Sequence, residues 1–379
     1  MRLLPSISFG FSLLAAVGLA SPALAGEHVL YSFDARVPFG DLVLAKSGTL
    51  YGAVSFGGAH GLGQLYSFDR DGNYTVLHDF AGKGDGAYPN GGLIADADGN
   101  LYGVTQRGGG AFNMGEVFKR APDGTMTVLH AFKGGSEGMY PIGRLLRDKH
   151  GNLYGTTYTS YIGGPFGTVY KIAPDGTFSV LHAFHGNDGD GVSPVGGLAM
   201  DRSGNLYGLT VHGGASDYGA LYKIDTSGRE SVLASFAYAD SFPSDAPVVD
   251  DAGNVYGVTN NGVGTVFKVT PDGIRSTLHT FDPNKDGQKP VGTPMLDTAG
   301  NLYGTAIGGG HHCEQQGFGC GTVYKLAPDG KMTVLHYFDG GNDGYVPYGG
   351  LAMNNHGTLF GVTKAGGASS DGTIFAIKP

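Results

Sequence analysis

Residues 201–210 read Asp201-Arg202-Ser203-Gly204-Asn205-Leu206-Tyr207-Gly208-Leu209-Thr210. An Asp-x-x-Gly-Asn turn leads into a short run of apolar, aromatic and β-branched residues, the signature of a hairpin entering a strand. The segment returns with its aromatic residue at Tyr51, Tyr102, Tyr154, Tyr256, Tyr303 and Phe360. Counting Tyr207, the successive intervals are 51, 52, 53, 49, 47 and 57 residues. A proline stands 13 residues before each aromatic, at Pro38, Pro89, Pro141, Pro194, Pro243, Pro290 and Pro347. A Gly-Thr-Val-Phe/Tyr-Lys run begins at Gly63, Gly115, Gly167, Gly219, Gly264, Gly321 and Gly372. A Val-Leu-His-x-Phe run ends at Phe33, Phe80, Phe132, Phe184, Phe236, Phe281 and Phe338. A fixed period of this length marks a repeat architecture.

Each unit holds four extended segments. The first is rich in small residues (Pro194 to Met200), and the second, third and fourth are Asn205 to Thr210, Gly167 to Ile172 and Ser179 to Phe184. Asp-x-x-Gly-Asn joins the first pair and Pro-Asp-Gly-Thr the last pair, both short hairpin connections. No segment has helical periodicity. The fold class is therefore all-β, a seven-bladed β-propeller of four-stranded antiparallel blades, with the small first strand at the crowded axis. The chain stops after the third strand of its last unit. The missing fourth strand is found at the other end, in His28-Val29-Leu30-Tyr31-Ser32-Phe33, which is expected to complete the last blade and close the ring.

The 70 glycines and 18 prolines exclude neither order nor a core, because 21 Phe and 21 Tyr supply apolar surface to bury. Glycine does not fall at every third position, which excludes collagen. After Arg2 no charge appears before Glu27, and an apolar stretch leads to Ala23-Leu24-Ala25. These features predict a signal peptide over residues 1–25, cut after Ala25, and one propeller domain over 26–379, secreted or periplasmic and monomeric. No later stretch is long and apolar enough to span a bilayer, so no membrane insertion is expected after cleavage. A formal charge of -9 argues against nucleic acid as a partner. In an oxidising compartment Cys313 and Cys320 are expected to form a local disulfide. The competing zinc reading adds His311 and His312, but adjacent histidines rarely both point inward.

The aromatic-Gly-x-Thr, Gly-Gly and Gly-Thr-Val-Phe-Lys succession resembles the GloVer tandem repeat of secreted bacterial proteins, over residues 28–379. The resemblance implies an extracytoplasmic propeller, in a family generally without an assigned activity whose members often carry a separate surface anchor. No such anchor is expected after Pro379.

In a propeller the first-to-second and third-to-fourth turns share one face, and here they are short and uniform. The second-to-third loops and blade links share the other face, where they are longer and variable, so binding is expected there. Blade 6 carries the largest insertion, His311 to Cys320. Residues that break the repeat are the site candidates. After the aromatic-Gly segment the blades offer Phe56, Arg107, Tyr158, His212, Asn261, Ile307 and Lys364. Entering the first strand, Asp41, Arg144 and Thr293 stand where other blades have Gly92, Gly197 and Gly350. Asp41, Arg107, Arg144, Tyr158, Tyr161, His212, His311 and Lys364 are expected to line a funnel for an anionic or hydroxylated ligand, with Arg giving charge-assisted hydrogen bonds.

The repeated histidines His78, His130, His182, His279 and His336 lie on outer strands, far apart around the rim, and are expected to be structural. No metal site is expected from them. Asp282-Pro283-Asn284-Lys285-Asp286-Gly287 opens like a calcium loop, but Thr293 at its twelfth position cannot supply the bidentate carboxylate. No cofactor is expected.

Two function classes follow. One is a secreted binding or interaction scaffold whose long-loop face holds a glycan, peptide or cell-surface partner. The lack of Trp weighs mildly against strong sugar stacking, which Tyr and Phe can also supply. The alternative is a polysaccharide lyase on uronate-containing glycans, with Arg107 or Arg144 as the cation, His212 as base and Tyr158 or Tyr161 as acid. A glycoside hydrolase needs two carboxylates across the bond, and Asp41 is the only funnel acid in the sequence reading. No nucleophile elbow, phosphate loop or dinucleotide fingerprint is present.

Overall fold

The computed structural model describes residues 26–159, 165–186, 189–310 and 319–379. The expected signal peptide, residues 1–25, and Tyr161, His311 and Cys313 lie outside the described residues. Among these there are seven antiparallel sheets in sequence order around a ring. Blade 3 is typical, with strands Met139–Arg147, Leu153–Thr159, Thr168–Ile172 and Phe178–Ala183 paired in that order. In the seventh blade, Leu359–Ala365 pairs with Thr373–Lys378, and the outermost place is taken by Gly26–Ser32 from the start of the chain. No helix of the described residues is long and apolar enough to cross a membrane.

The repeated motifs have physical causes. Third-strand aromatics face a second-strand glycine directly, as in Gly155 opposite Tyr170 and Gly208 opposite Tyr222. A Cβ on Gly208 would lie 2.2 Å from the Tyr222 hydroxyl, so the glycine of Tyr-Gly is the space the ring occupies. That ring is met edge-on by the phenylalanine ending the preceding blade's outer strand. The seven pairs are Phe33–Tyr66, Phe80–Phe118, Phe132–Tyr170, Phe184–Tyr222, Phe236–Phe267, Phe281–Tyr324 and Phe338–Phe375. T-shaped geometry sets the positive ring edge against the negative ring face, adding to what burial itself contributes.

The short-turn face consumes its own polar groups. Asp201 accepts from the Ser203 and Asn205 amides at 2.9 Å, from the Asn205 side chain at 2.7 Å and from the Tyr207 hydroxyl at 3.0 Å. Asp96, Asp148, Asp250 and Asp297 repeat the arrangement. On the rim, each repeated histidine is paired with an acid in the blade link: His78 with Asp85 at 2.9 Å, His130 with Glu137 at 3.1 Å, His182 with Asp190 at 3.2 Å, His279 with Asp286 at 2.9 Å and His336 with Asp343 at 3.2 Å. Asp286, from the loop with the calcium-like opening, also accepts from the Asp282 amide at 2.8 Å.

Candidate functional site

The axis is built from backbone. The first strand of every blade is broken or shifted in register where it turns inward, and Gly40, Gly91, Gly143, Gly196, Gly292 and Gly349 stand at that point with positive φ. A Cβ on Gly143 would sit 2.1 Å from the carbonyl carbon of Gly196, and one on Gly349 would sit 2.7 Å from the carbonyl oxygen of Gly40. Only glycine tolerates both the conformation and the approach. Blade 5 breaks this ring: Asp245, at φ 59°, stands where the others have glycine.

On the long-loop side of the ring lies a cavity of about 290 Å³. Its walls include Phe39, Asn90, Gln106, Tyr158, Asp245 and Tyr348. Phe39 and Tyr348 come from blades 1 and 7, with ring centroids 5.0 Å apart. The Lys364 ammonium sits 3.4 Å from the Tyr348 centroid and 4.5 Å from that of Phe39. Burial pushes Lys364 down to about 8. It has no carboxylate within 4 Å among the described residues, so the two ring faces are its counter-charge.

Asp245 accepts from the Ala246 amide at 2.8 Å and from the Thr293 hydroxyl at 3.3 Å. Burial and the nearby Asp41 nevertheless raise its carboxyl well above the ordinary range, against the opposing pull of those donors and Arg144. Asp41 is buried and accepts from the Gly350 amide at 2.5 Å. Gly92 leaves room for both neighbours, since a Cβ there would meet Asp41 Cβ at 2.8 Å and Arg144 Cδ at 3.2 Å. Asp41, Arg144 and Thr293 thus form the tier just beyond the glycine ring, with Arg144 exposed.

The remaining candidates separate by strand alternation. Gln106, Tyr158 and Lys364 share one register position, four residues after the repeat aromatic, and that position faces the axis. Phe56, Arg107 and His212 lie one residue further and point away. Arg107 sits over the Tyr140 ring at 4.6 Å, and His212 lies 6.5 Å from Phe242, both exposed on the long-loop face. The expected lyase groups are therefore not assembled in this cavity: of Arg107, Arg144, His212 and Tyr158 only Tyr158 lines it, and Tyr161 lies outside the described residues. A one-residue step in a strand reverses the face. Asp245, Phe39 and Tyr348 were missing from the sequence-derived set. Asp245 was visible in principle, as the one departure from glycine at the ring position. Cys320 is fully buried, and its expected partner Cys313 lies outside the described residues.

The fold is similar to that of virginiamycin B lyase from Staphylococcus aureus, in a catalytically inactive form with quinupristin. The TM-score is 0.64 at 13% identity, covering 93% of this chain and 98% of that one. Oligogalacturonate lyase from Vibrio parahaemolyticus gives a TM-score of 0.60 at 13% identity, covering 95% of each chain. The extracellular domain of a hybrid two-component system from B. thetaiotaomicron gives 0.61 at 10% identity, covering 93% of this chain and 39% of that one. At these identities the likeness concerns the fold alone. No curated protein matches the sequence. The Gloeobacter/Verrucomicrobia repeat matches residues 21–200 and 193–379, and with its seven blades built from that unit the chain belongs to this repeat family.

Proposed function

We propose that the protein is an exported binding propeller whose axial cavity receives the end group of an anionic, hydroxyl-rich ligand, most simply an acidic sugar at a glycan terminus. The observation that carries this reading is the cavity itself. Its volume of about 290 Å³ is near the lower end of the roughly 300–1,000 Å³ range of small-molecule sites, enough for one sugar-sized group. Asn90 and Gln106 offer amide donors and acceptors for hydroxyls, Tyr158 offers an aromatic face, and Lys364 offers a positive charge beside the walls. The raised carboxyl of Asp245 favours its protonated form, in which it donates to an anionic group rather than repelling it. Export follows from the signal segment, and N-terminal sequencing of the mature protein should begin at Gly26.

A lyase reading draws support from two fold neighbours that are lyases. It is the weaker of the two, since Arg107 and His212 stand apart from the cavity. Incubation with a panel of uronate polymers distinguishes the readings: formation of unsaturated, ultraviolet-absorbing product supports the lyase.

The binding reading is tested on an array of acidic and neutral glycans. Affinity for an acidic hit should fall at least tenfold, about 1.4 kcal/mol, in Lys364→Met. The charge that Lys364 supplies is present below its pKa of about 8 and is lost above it. Wild-type affinity should accordingly fall as pH rises through 8, and Lys364→Met should lose the part of that fall that Lys364 supplies, keeping the part that comes from ionising Asp245. Binding that ignores both the substitution and the pH overturns the assignment of Lys364.

A further inference from the structure

Outer strands meet their neighbours through their first residue. Tyr74 of blade 1 stacks on Tyr31 of blade 7 at 4.6 Å, Phe178 of blade 3 stacks on His130 of blade 2 at 3.7 Å, and Arg275 of blade 5 lies over Phe236 of blade 4 at 5.3 Å. Met126 and Met332 hold the same position in blades 2 and 6, and Glu27 holds it in blade 7, with its side chain outside the described residues. In blade 4 the position is Glu230. Here, as at Glu27, a carboxylate stands where the other five blades carry an apolar, aromatic or cationic side chain, and Glu230 does so against the rim pair of the preceding blade, His182 and Asp190.

His182 Nε2 is 3.2 Å from Asp190 Oδ1, and a Glu230 carboxylate oxygen joins them with all three ligand atoms within 4.8 Å of one another. His182 and Asp190 are only 21% and 16% exposed, so the cluster is shielded from solvent without being sealed. The other Asp190 oxygen accepts from the His185 amide at 2.8 Å, which fixes the carboxylate from behind, as outer-shell partners fix metal ligands. Glu230 Oε1 is buried and has no hydrogen-bond partner. A buried carboxylate oxygen without a donor is costly, and a second carboxylate beside it adds repulsion. A cation removes both costs.

We propose that His182, Asp190 and Glu230 form a divalent transition-metal site on the rim, joining blades 3 and 4, with zinc as the ion that fits. One imidazole nitrogen and two carboxylate oxygens are ordinary zinc ligands, and three protein ligands leave a fourth position for water. Calcium requires six to eight oxygens and is a poor match for the imidazole. The site is independent of the axial cavity.

The test uses untagged, EDTA-treated protein dialysed against zinc chloride, with bound metal measured by mass spectrometry and stability by thermal melting. Glu230→Met copies the residue that blade 6 carries at this position and keeps the rim apolar. His182→Gln provides a second variant that removes the nitrogen ligand but keeps both carboxylates. Wild type should retain one more zinc per chain than either variant, and zinc should raise its Tm while leaving theirs unchanged. Cobalt(II) should give visible absorption bands in wild type that Glu230→Met lacks. Equal zinc retention in wild type and Glu230→Met, or none in wild type, overturns the proposal.

Discussion

Glu116 heads the third strand of blade 2, where most blades place a small residue and blade 1 places Gln64. It is 1% exposed, and its Oε2 has no hydrogen-bond partner. Burial, and secondarily Asp85, push its carboxyl up to about 8. The unfolded chain releases this proton near the ordinary carboxylate pKa, whereas the folded chain holds it to about 8. Between those values the native state binds more protons, so stability falls as pH rises, by up to about 1.4 kcal/mol per pH unit for this one group. Glu116→Gln keeps the shape, already has a precedent in Gln64, and removes the titration. Its Tm should exceed that of wild type at pH 8 and approach it at pH 4, as measured by melting across that range; parallel pH profiles would remove Glu116 as the cause. The same scale explains what the sequence left hidden at the axis. Arg107 and Lys364 are both repeat-breaking cations, yet they stand at adjacent register positions and face opposite ways. Loop lengths differ between blades, so alternation has to be counted from the repeat aromatic. Counted that way, Gln106, Tyr158 and Lys364 fall together.

Strands and their pairings, by contrast, were readable because the cause of each repeated residue is local and recurs. The glycine after each repeat aromatic makes room for a cross-strand ring, and that ring is capped by a phenylalanine from the blade before. Sequence shows the three as separate motifs; packing shows them as one joint used at every blade boundary. Within the joint the ring is Tyr66, Tyr170, Tyr222 and Tyr324 in four blades and Phe118, Phe267 and Phe375 in three. The Tyr170 and Tyr222 hydroxyls are buried without a partner, and burial raises their pKa well above the usual phenol value. An unsatisfied buried hydroxyl contributes a penalty, not a bond. Tyr222→Phe should therefore leave stability unchanged or raise it by up to about 1 kcal/mol, read from the denaturant midpoint at constant m-value. A loss of more than that amount would reveal a partner for the hydroxyl. The seam between blades 3 and 4 carries both this joint, Phe184 on Tyr222, and the rim cluster of Glu230. Metal binding there would act on a boundary that already has its apolar contact.

At the level of the whole ring, the seam between blades 7 and 1 rests on an outer strand that, unlike those of the other six blades, no hairpin ties to its own blade. The outer strand of blade 7, Gly26–Ser32, is joined to the third strand, Thr373–Lys378, only by hydrogen bonds, and Phe33 just beyond it supplies the ring that meets Tyr66. The axial contact of Gly349 with Gly40 and the Phe39–Tyr348–Lys364 cluster cross the same seam. Removing residues 26–33 leaves Thr373–Lys378 as an unpaired edge strand, open to pairing with another molecule, and empties the aromatic joint beside blade 1. A chain beginning at Asp34 should melt at least several degrees below one beginning at Gly26 and should self-associate on size exclusion. Because Lys364 and its two flanking rings depend on the seam, its affinity for an acidic glycan should fall together with its stability. A synthetic peptide of residues 26–34, added in excess, should restore both by re-forming the strand in trans. A shortened chain that stays monomeric, melts normally and binds normally would show that the covalent blades alone hold the ring. The axial cavity would then have to be explained without the N-terminal strand.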